Sequence, residues 1–263
     1  MAGGRERSGR LDGEIALITG ASSGIGRGTA LKFASLGATV VLTGRNASEL
    51  QATGRRCEKI SGEKPLLITA DLSKEEDVKR VVDELTNAFH KLDILVNNAG
   101  IYKADSLQTF SLQRFDEIFS INVRAVSQLT ALCTPALIAS KGSIVNVSSL
   151  NGTNAFADDL TYCMSKAALD MFTRCTALEL APKQVRVNSV NPGVIKTDIF
   201  QRSGMDRDQC KQFLEGSKKK HALGRVGDVE EVADVIAFLA SDSASFITGS
   251  CIPIDGGRHT MSV

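Results

Sequence analysis

Short apolar runs alternate with longer segments of helical periodicity along most of the chain. Glu14–Thr19, Thr39–Thr43, Pro65–Thr69, Leu92–Val96, Ser143–Val147, Val185–Val190 and Ser250–Ile254 read as buried strands. Strands that alternate with helices in this way predict a parallel sheet covered on both faces, an α/β, doubly wound fold of about seven strands. Helix starts are predicted at Asn46 with Glu49, Ser73 with Glu76, and Asp228 with Glu231, each a capping residue followed three positions later by an acid that reaches back to it. After Asp228, the stripe Val229, Val232, Ala233, Ile236 and Leu239 marks a face for the core. The longest stretch without a clear pattern, about 193–227, is polar and reads as a mobile lid or surface helix beside the site, a substrate loop. Its Lys218-Lys219-Lys220 run reads as a solvated face.

Length and composition are consistent with one catalytic domain over residues 11–263, preceded by a flexible segment 1–10. The 263 residues, 43% of them hydrophobic, can bury a core at the upper end of one α/β domain. A formal charge of +1, with no block of like charges, gives no basic field for nucleic acid and leaves a small molecule as the expected partner. Cys57, Cys133, Cys163, Cys175, Cys210 and Cys251 form no Cys-x-x-Cys pair, so neither a metal site nor a disulfide framework is expected, and a reducing compartment fits. No stretch has the length of a membrane span, and the expectation is a cytoplasmic protein.

Two motifs carry chemistry. The first strand runs directly into Gly20-Ala21-Ser22-Ser23-Gly24-Ile25-Gly26, and a helix follows at once. A strand-to-helix turn of this kind offers backbone N–H groups and a positive dipole end to a phosphate. Gly20 permits the tight turn, while Gly24 and Gly26 let a pyrophosphate approach and the helix pack on the sheet. The second motif is Tyr162-Cys163-Met164-Ser165-Lys166, which on a helix sets a phenol and an ammonium on one face. A positive neighbour favours the phenolate and brings a group of ordinary pKa about 10 towards neutral pH. Cys163 has no Cys-His arrangement around it and is not read as a nucleophile.

Together with Asp71-Leu72, Asn97-Asn98-Ala99-Gly100, Asn122, Ser149, Asn191-Pro192-Gly193 with Thr197, and Ile254-Asp255-Gly256-Gly257, these motifs run in order over residues 12–257. In this the chain resembles the short-chain dehydrogenase/reductase family in its single-domain form, near the branch of 3-oxoacyl-carrier-protein reductases, tropinone reductases and glucose dehydrogenases. The resemblance implies a Rossmann-type sheet and a homo-oligomer, tetramer or dimer. It also implies hydride transfer between a nicotinamide and a carbonyl or secondary alcohol. By the same resemblance Tyr162 is the general acid/base, Lys166 lowers its pKa and bonds the nicotinamide ribose, and Ser149 polarises the substrate oxygen. Asn122 holds a water that relays protons to Lys166, and Ser148 supports the shell. The turn residues Gly20, Ser22, Ser23, Gly24, Ile25 and Gly26 hold the dinucleotide. Asp71 and Leu72 meet the adenine, Asn98, Ala99 and Gly100 follow the ribose, and Pro192, Gly193, Ile195 and Thr197 hold the nicotinamide end.

Cofactor choice turns on Leu42-Thr43-Gly44-Arg45-Asn46. NAD-using folds place an acid here on the adenosine ribose, whereas this chain has Gly44 followed by Arg45, whose guanidinium suits a 2′-phosphate. Ser22 and Asn46 add neutral hydrogen bonds, and NADP(H) is favoured over NAD(H). The rival readings are an NAD-dependent alcohol dehydrogenase and a non-catalytic NADP(H)-binding regulator. Substrate identity, among acyl, steroid, retinoid, quinone and sugar carbonyls, is not legible at this level.

Overall fold

A computed structural model describes residues 9–261 of the chain. The expected N-terminal segment therefore lies, for residues 1–8, outside the described residues. Seven strands form one parallel sheet in the order β3-β2-β1-β4-β5-β6-β7. They are β1 (Ile15–Thr19), β2 (Thr39–Gly44), β3 (Leu66–Thr69), β4 (Ile94–Asn97), β5 (Ser143–Val147), β6 (Arg186–Pro192) and β7 (Cys251–Ile254). The predicted runs match these to within about two residues, because strands covered on both faces are apolar throughout and are hard to mistake.

Alternate side chains of the sheet enter two cores. Ala16 and Ile18 of β1 face α1 (Gly24–Ser35), α2 (Ala47–Ser61) and α9 (Val229–Ala240), while Leu17 faces α3 (Glu75–Phe89), α5 (Val126–Ser140) and α6 (Leu160–Leu180). Strand order reverses about β1 and β4, and at such a switch point the carboxyl ends of the strands open a crevice. No helix among the described residues is long and apolar enough to cross a membrane.

Caps follow the sequence at two of the three expected positions. Asn46 Oδ1 accepts from Glu49 N at 3.1 Å, and Glu231 Oε2 accepts from Asp228 N at 2.8 Å. Ser73 is a correction. Its amide and hydroxyl both donate to Asp71 Oδ1, at 3.1 and 2.9 Å, so the nearer acid captures it in a turn and α3 starts only at Glu75. Of the two readings of the patternless stretch, the surface helix is the one seen, as α7 (Ile199–Arg202) and α8 (Arg207–Lys218). A capping box of Asp206 and Gln209 starts α8, but the helix buries only Cys210 and Ser217 and so shows no apolar stripe. Bonds from Gly227 N to Val194 O (2.9 Å) and from Lys196 N to Gly227 O (3.0 Å) pin the base of the excursion.

Candidate active site

The turn after β1 is laced to the end of β4. Thr19 Oγ1 accepts from the amides of Asn98 and Ala99, both at 2.9 Å, and Asn98 Nδ2 donates to Thr19 O at 2.7 Å. This closeness requires glycine. A Cβ on Gly20 would lie 2.8 Å from Asn98 Nδ2, and one on Gly26 would collide with both Gly20 O and Asn98 Nδ2. Gly20 and Gly24 also have φ of +65° and +51°, in the left-handed region. Ser23, the residue before α1, is extended and makes no side-chain cap bond, so the first-turn N–H groups of α1 keep their capacity for an anion.

A cavity of about 740 Å³ runs from this turn across the carboxyl ends of the strands. Gly20, Ser22, Ser23, Gly24 and Ile25 line it at one end with Arg45, Asn46 and Leu72. Asn98, Ala99 and Gly100 line its middle, followed by Pro192, Gly193, Ile195 and Thr197, and by Ser149, Tyr162 and Lys166. Three expected residues stand behind the wall. Gly26 serves packing, the Asp71 carboxylate is held by Ser73 instead of turning to the cavity, and Asn122 lies beneath Gly100. Asn46 is partly diverted as well, its Oδ1 being taken by Glu49 N and Ser48 Oγ.

Tyr162 and Lys166 share one face of α6 and are nearly removed from solvent, with 9% and 4% exposed. Lys166 Nζ donates to Val147 O at 2.9 Å and lies 5.6 Å from the centre of the Tyr162 ring. Burial lowers the lysine to about 8, against a smaller opposing pull from Asp170 one turn on. Burial also raises the phenol above its ordinary value, opposed by the adjacent Ser149 hydroxyl. The expected lowering of Tyr162 by Lys166 is thus corrected for this state: the ammonium is tied to a strand carbonyl, and desolvation of the phenol dominates.

Asn122 lies in a π-helical turn, Ser120–Ala125, just before α5. Its Nδ2 donates to Ile101 O (3.0 Å) and Ser165 Oγ (3.1 Å), and its Oδ1 accepts from Ile101 N (2.9 Å). A Cβ on Gly100 would come within 3.4 Å of that Oδ1 and 3.6 Å of Lys166 Nζ. Ser148 turns its hydroxyl to Lys166 O at 3.3 Å and so braces the backbone of α6.

A family profile described as enoyl-(acyl carrier protein) reductase matches residues 20–259. Over 249 residues the chain is 36% identical to the 3-oxoacyl-[acyl-carrier-protein] reductase of Thermotoga maritima, covering 94% of this chain and 98% of that one. It is 37% identical to human L-xylulose reductase, covering 94% and 97%. A short-chain dehydrogenase/reductase of unknown function from Caenorhabditis elegans, solved with cofactor, superimposes with a TM-score of 0.91 at 36% identity over 96% of this chain and 97% of that one. The chain belongs to the short-chain dehydrogenase/reductase family. Levodione reductase is a further structural relative, with TM-score 0.88, 30% identity and coverage of 96% and 100%.

At the far end of the cavity the structure resolves the pocket stretches expected around 150–160 and 199–221 into individual residues, and adds Tyr102 and Arg258, which sequence reasoning missed. Tyr102 packs edge-on against Tyr162 with ring centres 5.2 Å apart, and against Phe200 at 5.6 Å; Phe200 in turn meets Phe213 at 4.5 Å. The Tyr102 hydroxyl donates to Asp159 Oδ1 at 2.8 Å, and Asn151 Nδ2 donates to Asp159 Oδ2 at 2.9 Å. Phe156, Lys220 and Arg258 complete this end. Tyr102 and Arg258 carried no signal in the sequence, since they lie in segments far from those stretches and share no spacing with them.

Proposed function

We propose that this protein is an NADP(H)-dependent oxidoreductase that moves a hydride between the nicotinamide and a carbonyl or secondary alcohol substrate, with Tyr162 as general acid/base. The observation that carries the reading is the burial of Tyr162 and Lys166 in the wall of the same cavity that begins at the glycine turn. The residues fit a dinucleotide: glycines hold the turn close, the start of α1 offers amides to a pyrophosphate, and the cavity is long enough to reach Tyr162. When bound, the dinucleotide supplies or accepts the hydride at its nicotinamide.

Tyr162 is protonated near neutral pH, which suits donation of its proton to a carbonyl oxygen during reduction. Ser149 donates a hydrogen bond to that oxygen as negative charge develops on it. Lys166, as an ammonium, stabilises the phenolate left behind and bonds the nicotinamide ribose. Asn122 holds a water leading to Lys166, which the absence of a side chain at Gly100 permits. At the other end, Arg45 lines the cavity without an ion-pair partner among the described residues, which supports a 2′-phosphate there. Ser22 flanks it and Leu72 covers the adenine. Ile195 and Thr197 orient the nicotinamide.

The named activities of the relatives, on 3-oxoacyl, L-xylulose and levodione substrates, support carbonyl chemistry over the enoyl reduction in the profile's description. Exposed Met164, Met171 and Leu178 recur at intervals of seven on α6 and support a homo-oligomer, while six free cysteines support a cytoplasmic location. The test is oxidation of NADPH and of NADH in the presence of a carbonyl panel. Turnover with NADPH exceeding that with NADH is expected. Bound NADPH with no turnover on any carbonyl or alcohol would return the regulator reading.

A further inference from the structure

The far end of the cavity holds a cation without a partner anion. Arg258 follows Asp255-Gly256-Gly257, and both glycines have positive φ, +56° and +79°. This turn carries the guanidinium back over the Phe156 ring, 4.6 Å from its centre, on the cavity wall. Burial pulls the Arg258 pKa down, and Asp159 and Asp255 partly oppose that pull. Neither acid bonds to it. Asp159 is taken by Tyr102 and Asn151, and Asp255 by the Gly257 and His259 amides and the His259 ring. The guanidinium itself makes no hydrogen bond among the described residues. A half-buried guanidinium with all its N–H donors unmatched is costly unless something supplies acceptors.

Its neighbours sharpen the reading. Lys220 enters the same cavity from the segment held against the glycine turn by the bond from Leu223 N to Gly256 O at 3.0 Å. Lys218, by contrast, is paired with Glu215. Arg202 is 3.6 Å from Asp198 and is already compensated. Asp158 is the remaining acid on the wall; it is exposed, and it is not among the charges that act on Arg258. The rings of Tyr102, Phe200 and Phe213 line the same cavity, with Tyr102 edge-on against Tyr162.

We propose that Arg258, aided by Lys220, receives a carboxylate on the substrate, so that this enzyme prefers carbonyl compounds in which an apolar, flat body joins the reacting carbonyl to an anionic end. The cation–π contact with Phe156 holds the guanidinium at the cavity wall before the substrate arrives, and its N–H donors, unbonded among the described residues, suit bidentate pairing with a carboxylate. The inference deepens the reductase reading and rests on it for the reacting end alone; the anion pole is a binding claim.

The probes are 4-acetylbenzoate and its methyl ester, which share a ring and a ketone and differ in charge. Dissociation constants are measured by calorimetry and turnover by NADPH oxidation, for wild type, Arg258→Gln and Arg258→Lys. Wild type is expected to bind the acid about 10- to 100-fold more tightly than the ester, the range of a charge-assisted contact. Arg258→Gln should lose that preference, its affinity for the acid falling more than its affinity for the ester, and Arg258→Lys should restore part of it. Equal binding of acid and ester by wild type, or an equal loss on both in Arg258→Gln at unchanged Tm, overturns the inference and leaves the reductase reading standing. Arg258-dependent binding of the acid without turnover of either probe supports the anion pole and counts against ketone reduction.

Discussion

The proposed mechanism uses Lys166 as an ammonium in a place where burial favours the amine. Its pKa of about 8 lies well under the ordinary value for lysine, so the free protein loses this charge within a readily accessible pH range. If the ammonium bonds the ribose, cofactor binding draws a proton onto Lys166 above that pH. NADPH affinity is therefore expected to fall as pH rises through about 8, and Lys166→Met should bind more weakly but without that fall. A pH series of fluorescence titrations reads both, and an unchanged slope in the variant would remove the lysine from the cofactor site. Tyr162→Phe should keep NADPH affinity within about twofold and lower kcat by roughly 100- to 10,000-fold, the usual contribution of a general acid. Retention of more than about a tenth of the rate excludes the proton-donor role. Arg45→Ala should weaken NADPH by about 10- to 100-fold and NADH far less. Gly44→Asp should invert the preference, because its carboxylate repels a 2′-phosphate and accepts from ribose hydroxyls. The new Cβ would stand 3.1 Å from Ser22 Oγ and 3.3 Å from Ser22 Cβ, so the Ser22 side chain must give slightly. Equal weakening of both cofactors in Arg45→Ala would show that Arg45 is not the selector.

At the scale of elements, α7 and α8 form an excursion pinned at its base by Val194, Lys196 and Gly227 and joined to the site through Phe200 and Phe213. Few of its side chains are buried, so its opening free energy is low. Thr197 at its start meets the cofactor end of the cavity, where a Cβ on Gly24 would lie 3.2 Å from its methyl group. Hydrogen exchange over 199–218 is expected to be the fastest of any helical segment without cofactor and to slow by about tenfold or more with NADPH, as for a closing lid. Equal exchange in the two states would make the excursion a fixed surface feature. The sequence legibly marked where this excursion begins and ends, at Gly193 and Gly227, and allowed a surface helix within it, but not where its two helices lie. Their stability comes from a capping box and two ring contacts instead of an apolar stripe.

Across the whole molecule, one sheet face depends on a close fit between α1 and α9. A Cβ on Gly28 would strike Val229 Cγ1, and Phe33 of the same helix is completely buried in the core they share with the sheet. Phe33→Ala should cost about 3–5 kcal/mol. At this chain length that lowers Tm by roughly 10 °C, with cofactor contacts left in place. A thermal scan showing a shift under about 2 °C would mean that the core collapses around the lost ring. Polar groups cross the sheet as well: Asn97 Nδ2 donates to Asn146 Oδ1 (2.9 Å) and Thr130 Oγ1 (3.0 Å), and Asn146 Nδ2 to Thr173 Oγ1 (2.9 Å). These bonds tie β4, β5, α5 and α6 into the frame that holds Tyr162 and Lys166.

By itself the sequence determined the strands, the glycine turn and the facing pair on α6. Each depends on residues close in the chain: apolar runs, positive φ and a four-residue helical spacing are local constraints. The tertiary structure alone decided which charges are compensated and which side chains share a cavity. Lys166 could not be known to rest on Val147 O, nor Asp71 to turn to Ser73, before β5 and α3 were in place. The pole around Arg258 is the extreme case. Phe156, Lys220 and Arg258 stand far apart in sequence and acquire a common meaning only where the turn after β7 brings the half-buried guanidinium over the ring, with no hydrogen-bond acceptor among the described residues.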